Sequence, residues 1–269
     1  MDNEDLPVGS VLTRREILAL FGTVGAGLVA GCVPGVATTS PPERATPTSG
    51  TDPGPTISAG AGAATDAAAV PSCVVRPEMT EGPYFVDELL NRSDIRRDPA
   101  DGTEVDGTPL ELTFVVSRVA GNGCEALADA VVDVWHCDAL GVYSDVADPG
   151  FNTVGKKFLR GYQVTDSHGV ARFVTIYPGW YQGRTVHIHF KIRGRSETGS
   201  AYEFTSQLFF DDALTDRVHA ELPYASKGER TLRNDGDRMY LDGGSQMTLQ
   251  ATETAEGYGA VFDIGLQLG

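Results

Sequence analysis

His187-Ile188-His189-Phe190-Lys191-Ile192 alternates polar and apolar residues, which is the period of a half-buried β-strand. Residues i and i+2 of a strand share a face. His187 and His189 therefore stand side by side, with Ile188 opposite, and two imidazoles so placed can reach one metal ion. A strand that merely carries two half-exposed histidines is the simpler reading of a short His-x-His motif. The neighbourhood weighs against it: Tyr177 and Tyr181 precede the pair, Arg184 lies between, and Tyr143 lies upstream.

Working outward, residues 110–118 and 130–136 read as strands rich in β-branched residues. Residues 160–165 and 170–176 read as a hairpin joined through Asp166-Ser167-His168-Gly169. Residues 204–210, 246–252 and 260–266 complete the strands, and 212–222 predicts a short helix with Asp211 or Asp212 as N-cap. With 32 glycines and 15 prolines supplying turns, the pattern predicts a mostly β fold. Its expected form is an antiparallel β-sandwich with one or two short helices.

The N-terminus reads as an address. Thr13-Arg14-Arg15-Glu16-Ile17-Leu18 is a twin-arginine pattern. The apolar run after it is short for a membrane span, which needs about 20 residues, and it ends in Leu28-Val29-Ala30-Gly31-Cys32, similar to a lipoprotein cleavage box. Residues 1–32 are thus expected to be an export signal with Cys32 lipidated, the one membrane contact; a plain secretory signal is the alternative. In residues 33–72, 32 of 40 are Ala, Gly, Pro, Ser or Thr. Such a segment cannot bury enough apolar surface to offset its ordering entropy, so a tether is expected there. The folded domain is then 73–269.

A formal net charge of −16 argues against nucleic acid and anionic membrane surfaces as partners. No phosphate loop, dinucleotide fingerprint or nucleophile elbow occurs. Besides Cys32, the cysteines are Cys73, Cys124 and Cys137. One disulfide is expected in an exported chain, with Cys73 bridging either of the others. Cys124 and Cys137 flank one strand and lie too far apart to pair.

Tyrosine is a poor ligand while neutral, because its pKa is about 10. A hard trivalent ion holds it deprotonated, whereas Zn(II) more often recruits Cys or a carboxylate. The acid that follows the His pair, Glu197, fits no His-x-His cupin spacing.

Several stretches together resemble the intradiol ring-cleavage dioxygenases: Thr80-Glu-Gly-Pro-Tyr-Phe85, Asp133-Val-Trp-His-Cys-Asp-Ala-Leu-Gly-Val-Tyr143, Tyr177-Pro-Gly-Trp-Tyr181, Arg184, His187-Ile-His189 and Thr205-Ser-Gln207. The resemblance spans about residues 73–266. It implies a β-sandwich holding a non-haem Fe(III) through Tyr143, Tyr181, His187 and His189. It implies cleavage of catechol-type diols by O2 to muconate-type diacids, with Tyr181 leaving the metal as substrate binds. Arg184 would stabilise negative charge at the metal, and Gln207 would hydrogen-bond the reacting species. Tyr177 is expected in the core, Tyr84 and Tyr162 in the core or lining the pocket, and His136, His168 and His219 in structural places. A surface β-sandwich that binds ligands without chemistry is the competing reading; it predicts a broken ligand set, and all four ligand positions are filled.

Overall fold

β1 (Pro109–Ala120) is the spine of a five-stranded sheet. The computed structural model that shows it describes residues 74–268, with 121 and 122 excepted. Of the two units into which the chain divides, Met1–Ala64 and Thr65–Gly269, the described residues all belong to the second. The expected signal, the tether and the turn at Gly121-Asn122 lie outside the described residues. β11 (Tyr258–Leu266) runs parallel to β1 on one side, with β10 (Thr252–Glu253) beyond it. On the other side β7 (Val170–Ile176) pairs with the first half of β1 and β2 (Gly123–Ala126) with the second, both antiparallel.

The second sheet is antiparallel throughout. Its order is β6 (Arg160–Val164), β3 (Val131–Trp135), β8 (His187–Arg195) and β9 (Ala201–Phe209). A ribbon of β4 (Ala147–Asp148) and β5 (Phe151–Asn152) lies in the loop after β3. Two short helices, α1 (Asp212–His219) and α2 (Arg238–Leu241), follow β9. The mostly β expectation holds. The parallel β1–β11 pair was invisible to alternation, because a period of two is the same for either strand direction.

The sheets meet through their aromatic rows. Phe114 of β1 lies 5.2 Å from Phe190 of β8 and 6.0 Å from both Phe173 and Phe262, ring centroid to ring centroid. All four are buried, and each contributes about 1.5–3 kcal/mol by leaving water. Ile188, Phe190 and Ile192 form the core face of β8, yet His187, His189 and Lys191 on its other face are buried too. The functional site occupies that second face.

Two strand expectations are corrected. The Asp166–Gly169 turn closes, with Gly169 N–H donating to Asp166 O at 2.8 Å and Asp166 N–H to Val170 O at 3.0 Å. Beyond it the strands part, β6 to β3 and β7 to β1, so residues 160–176 cross between sheets instead of forming a hairpin. Alternation identifies each strand but not which sheet takes its apolar face. Residues 246–252 are not a strand. Gly243, at φ +117°, starts a 3-10 turn over Gly244–Met247, and the chain then passes the end of β9 with Leu249 N–H donating to Phe209 O at 2.8 Å. Thr248 makes a single parallel bridge to Phe209, and Thr252 and Glu253 pair as β10.

Asp211 is the N-cap of α1, its carboxylate accepting from Leu214 N–H at 2.9 Å. The helix stops at His219, short of 222, because the residue before a proline, here Leu222 before Pro223, disfavours helical backbone. Cys124 is disulfide-bonded and Cys137 is a buried free thiol, while Cys73 lies outside the described residues.

Candidate active site

The strand register builds the floor. Trp135 of β3, His189 of β8 and Gln207 of β9 are consecutive rungs and share a face. Trp135 stacks on His189 with centroids 5.1 Å apart and planes 8° apart. His187, two residues back, brings its Nε2 within 3.0 Å of His189 Nε2. A carbonyl oxygen only accepts, so His187 Nδ1–H donates to Thr185 O at 2.7 Å, and Nε2 presents its lone pair to the site. His189 Nδ1 has no partner. Burial, with Arg184 adding, pushes His187 down to about 3; burial and then His187 push His189 well below its ordinary value. Both imidazoles are therefore neutral at neutral pH, as metal ligands must be.

Two loops bring the tyrosines. Tyr143 lies after β3 and Tyr181 before β8. Their rings are 5.8 Å apart, nearly perpendicular, and Tyr143 lies 6.3 Å from His189. The Tyr181 hydroxyl sits 3.1 Å from His187 Nε2. Tyr143 is 1% exposed, and its hydroxyl lies beside that of Tyr181 without a well-formed hydrogen bond. Burial pushes both phenols up.

The loops meet backbone to backbone. Gly179 N–H donates to Asp138 O at 3.0 Å, and a Cβ on Gly179 would fall 2.3 Å from Ala139 O. A Cβ on Gly141 would fall 2.1 Å from Trp180 O. Glycine at both positions lets Tyr143 and Tyr181 converge.

Arg184 and Gln207 are interlocked. Arg184 Nη2 donates to Gln207 Oε1 at 2.6 Å, and Gln207 Nε2 donates to Thr80 O at 2.8 Å. Arg184 Nη1 lies 3.4 Å from His187 Nε2. Gln207 is wholly buried and engaged at both ends of its amide, so it orients Arg184. Asp237, which the sequence reading passed over, accepts from Arg184 Nε and from Thr185 N–H, each at 2.8 Å. Burial alone would raise its pKa; the Thr185 N–H and the Arg184 charge outweigh that and hold it below the usual carboxylate range. It stands 53 residues after Arg184, and nothing local in the sequence marks it.

The Thr80–Phe85 strap roofs the site. Gly82 lies over His189, Tyr84 stacks on Tyr143 at 4.5 Å, and Phe85 packs on Trp135 at 4.8 Å. Tyr84 thus lines the site and donates to Asp148 at 2.8 Å. Tyr162 is half-buried on β6, opposite Asp133.

The remaining candidates go elsewhere. Tyr177 is fully buried, its hydroxyl bonded to Thr215 Oγ1 at 2.7 Å. His136 bonds Cys137 O and Thr175 Oγ1, His168 sits in the Asp166 turn, and His219 donates to Pro178 O. Glu197 pairs with Arg118, which leaves a cupin-type triad without its acid. Among the described residues no group of three His, Cys, Asp or Glu is placed to hold a metal. A metal here would need phenolates. The two facing neutral nitrogens, the Tyr143 hydroxyl and the Tyr181 hydroxyl fit a hard trivalent cation, which holds phenolates deprotonated against their burial.

Comparison with known proteins bears on the family of the chain. A sequence model described as dioxygenase matches residues 80–237. The chain is 31% identical over 173 residues to the protocatechuate 3,4-dioxygenase beta chain of Burkholderia cepacia, spanning 60% of this chain and 67% of that one. It is 30% identical over 163 residues to a chlorocatechol 1,2-dioxygenase of Pseudomonas putida, spanning 53% of this chain and 58% of that one, little over half its length. The solved structure of an intradiol ring-cleavage dioxygenase from Tetranychus urticae aligns with a TM-score of 0.62 at 28% identity, over 72% of this chain and 94% of that one. With more than half its length matched, and with its two-sheet core in common, the chain belongs to the intradiol ring-cleavage dioxygenases, a family of oxidoreductases.

Proposed function

We propose that the protein cleaves catechol-type diols with O2 between the two hydroxyl-bearing carbons, giving cis,cis-muconate-type diacids. Tyr143, Tyr181, His187 and His189 would hold a non-haem Fe(III). The observation that carries this reading is the facing pair of neutral histidine nitrogens, 3.0 Å apart, with a tyrosine hydroxyl 3.1 Å from one of them and the Arg184 guanidinium 3.4 Å from the same atom. When bound, Fe(III) supplies the Lewis acidity that keeps the phenolates and the diol deprotonated and makes the diol reactive toward O2.

The side chains supply the rest. Of the four ligands Tyr181 alone is not fully buried, so it is the one that can swing away and take up a proton from the diol at its hydroxyl oxygen. Arg184 places a fixed positive charge where the anionic diol would sit. Gln207 keeps Arg184 aimed there. Trp135, Phe85 and the strap exclude water from the His189 side.

The twin-arginine pattern and Cys32 support an enzyme anchored by lipid on the outer side of the cytoplasmic membrane; loss of fatty-acid labelling in Cys32→Ala tests that. For the reaction, catechol and 18O2 with iron-loaded protein should put both labelled atoms into the diacid. A semialdehyde product, or intact catechol, would refute the proposal.

A further inference from the structure

We infer that Asp237 is a positioning residue for the reaction, fixing Arg184 and His187 together through one carboxylate; this rests on the function proposed above. The carboxylate is 1% exposed and its bonds are fully accounted for. Oδ2 accepts from Arg184 Nε and Thr185 N–H, and Oδ1 accepts from Met239 and Tyr240 N–H at the start of α2. Thr185 in turn offers its carbonyl to His187 Nδ1–H, the bond that leaves His187 Nε2 free for the site. One side chain thus sets the direction of the guanidinium and, through Thr185, the tautomer and tilt of the His187 imidazole.

A second pin lies beside the first. Thr185 Oγ1 donates to Asn234 Oδ1 at 2.7 Å, and Asn234 Nδ2 donates to Phe210 O at 2.8 Å. The turn from Arg184 to His187 is therefore docked on residues 234–237, a segment that contributes no ligand. The guanidinium is divided between Asp237 and Gln207, with Nε toward the first and Nη2 toward the second. That leaves Nη1 alone facing His187 Nε2, 3.4 Å away. Without Asp237, rotation about the Arg184 side chain would carry Nη1 off the site while Gln207 kept Nη2.

Asp237→Asn tests this, because asparagine caps a helix about as well as aspartate and α2 should survive. In metal-free protein, the Arg184 Nε–H resonance, assigned by its loss in Arg184→Lys, should be protected from solvent exchange. In Asp237→Asn it should exchange at least about 10-fold faster, since a carboxylate bond is worth about that factor; the asparagine amide also turns a donor toward Thr185 N–H, so the melting temperature should fall as well. Unchanged protection overturns the proposal whatever the enzyme does. In iron-loaded protein kcat on catechol should fall about 10- to 100-fold with KM within a few-fold, the penalty of a misplaced group. Adding Asp237→Asn to Arg184→Ala should then cost little more, and full additivity overturns the positioning role. Should wild type leave catechol uncleaved, the functional reading fails while the exchange result still decides whether Asp237 holds Arg184. If Asp237→Asn does not fold, Arg184→Lys answers from the other side: lysine keeps the charge but cannot span Asp237 and Gln207, and wild-type kcat in that variant overturns the inference.

Discussion

His187 Nε2 and His189 Nε2 face each other 3.0 Å apart on a buried strand face. His187 has spent its proton on Thr185 O, so its Nε2 is an acceptor. His189 can donate across the gap only by keeping its proton on Nε2 and leaving Nδ1 bare, and Nδ1 indeed has no partner. A cation bound between the two nitrogens would take a lone pair from each, with the His189 proton moved to Nδ1. Loading with Fe(III) should give a red-brown protein through phenolate-to-iron charge transfer. Tyr143→Phe combined with Tyr181→Phe should abolish the colour without unfolding. A colourless iron-loaded wild type, or a coloured double variant, sinks the ligand set.

The metal-free protein should lose stability as pH falls from about 6.5 toward 4. His136 is fully buried, and burial pushes it down to about 4; His187 and His189 are pushed down as well. The unfolded chain takes up these protons first, near the ordinary histidine value, so acid favours it. Asp133 opposes the trend. Burial raises it to about 6 against the pull of Arg193, so the folded state gains its proton first. Burial raises Asp138 as well and lowers His219, so four histidines stand against two carboxyls and outweigh them. Thermal melts between pH 7 and 4.5 check the slope, which His136→Gln should flatten by up to about one proton's worth. A melting temperature independent of pH would contradict the assignment.

What the sequence disclosed follows from how local each signal is. The His187–His189 face depends only on a period of two, so it could be read directly. Tyr143 and Tyr181 became legible only through family resemblance, since their approach needs two loops to touch at Gly141 and Gly179. The partners of β6 and β7 were misread because alternation is blind to which sheet a strand joins. Asp237 was missed because its partners, Arg184 and Thr185, are over 50 residues away, and one buried aspartate looks like any other of the chain's 37 acidic residues.

Gly82→Ala should damage function more than stability. Gly82 has φ +74°, and a Cβ there would stand 3.1 Å from His189 Cε1. The backbone strain alone costs on the order of 1–3 kcal/mol. Gly102, at φ +75° with nothing within 4 Å of its Cβ, is the matched control. Both alanine variants should lose similar melting temperature. Only Gly82→Ala should weaken Fe(III) binding in competition with a chelator. Equal binding by the two would remove His189 from the explanation.

Arg160→Lys should loosen the Tyr143 loop from behind. Arg160 is 2% exposed and grips the residue after Tyr143: Nε donates to Ser144 O and Oγ at 3.1 and 2.9 Å, and Nη2 donates to Ser144 O at 2.6 Å. Ser144 passes its own proton to Phe158 O at 2.6 Å, closing the loop on itself. A lysine ammonium cannot reproduce this fork, so acceptors on Ser144 go unmet at a cost of about 1–3 kcal/mol. Ser144→Ala removes only the Oγ bonds and should cost about 1 kcal/mol. The variants should separate in the visible spectrum of the iron-loaded protein. Arg160→Lys frees the backbone beside Tyr143 and should shift or broaden the tyrosinate band. Ser144→Ala keeps the backbone carbonyl held and should leave the band in place. An Arg160→Lys protein with wild-type melting temperature and spectrum would show that Tyr143 is held without Arg160, by its ring packing on Tyr84 and Tyr181 and by the Thr153 hydroxyl on its carbonyl.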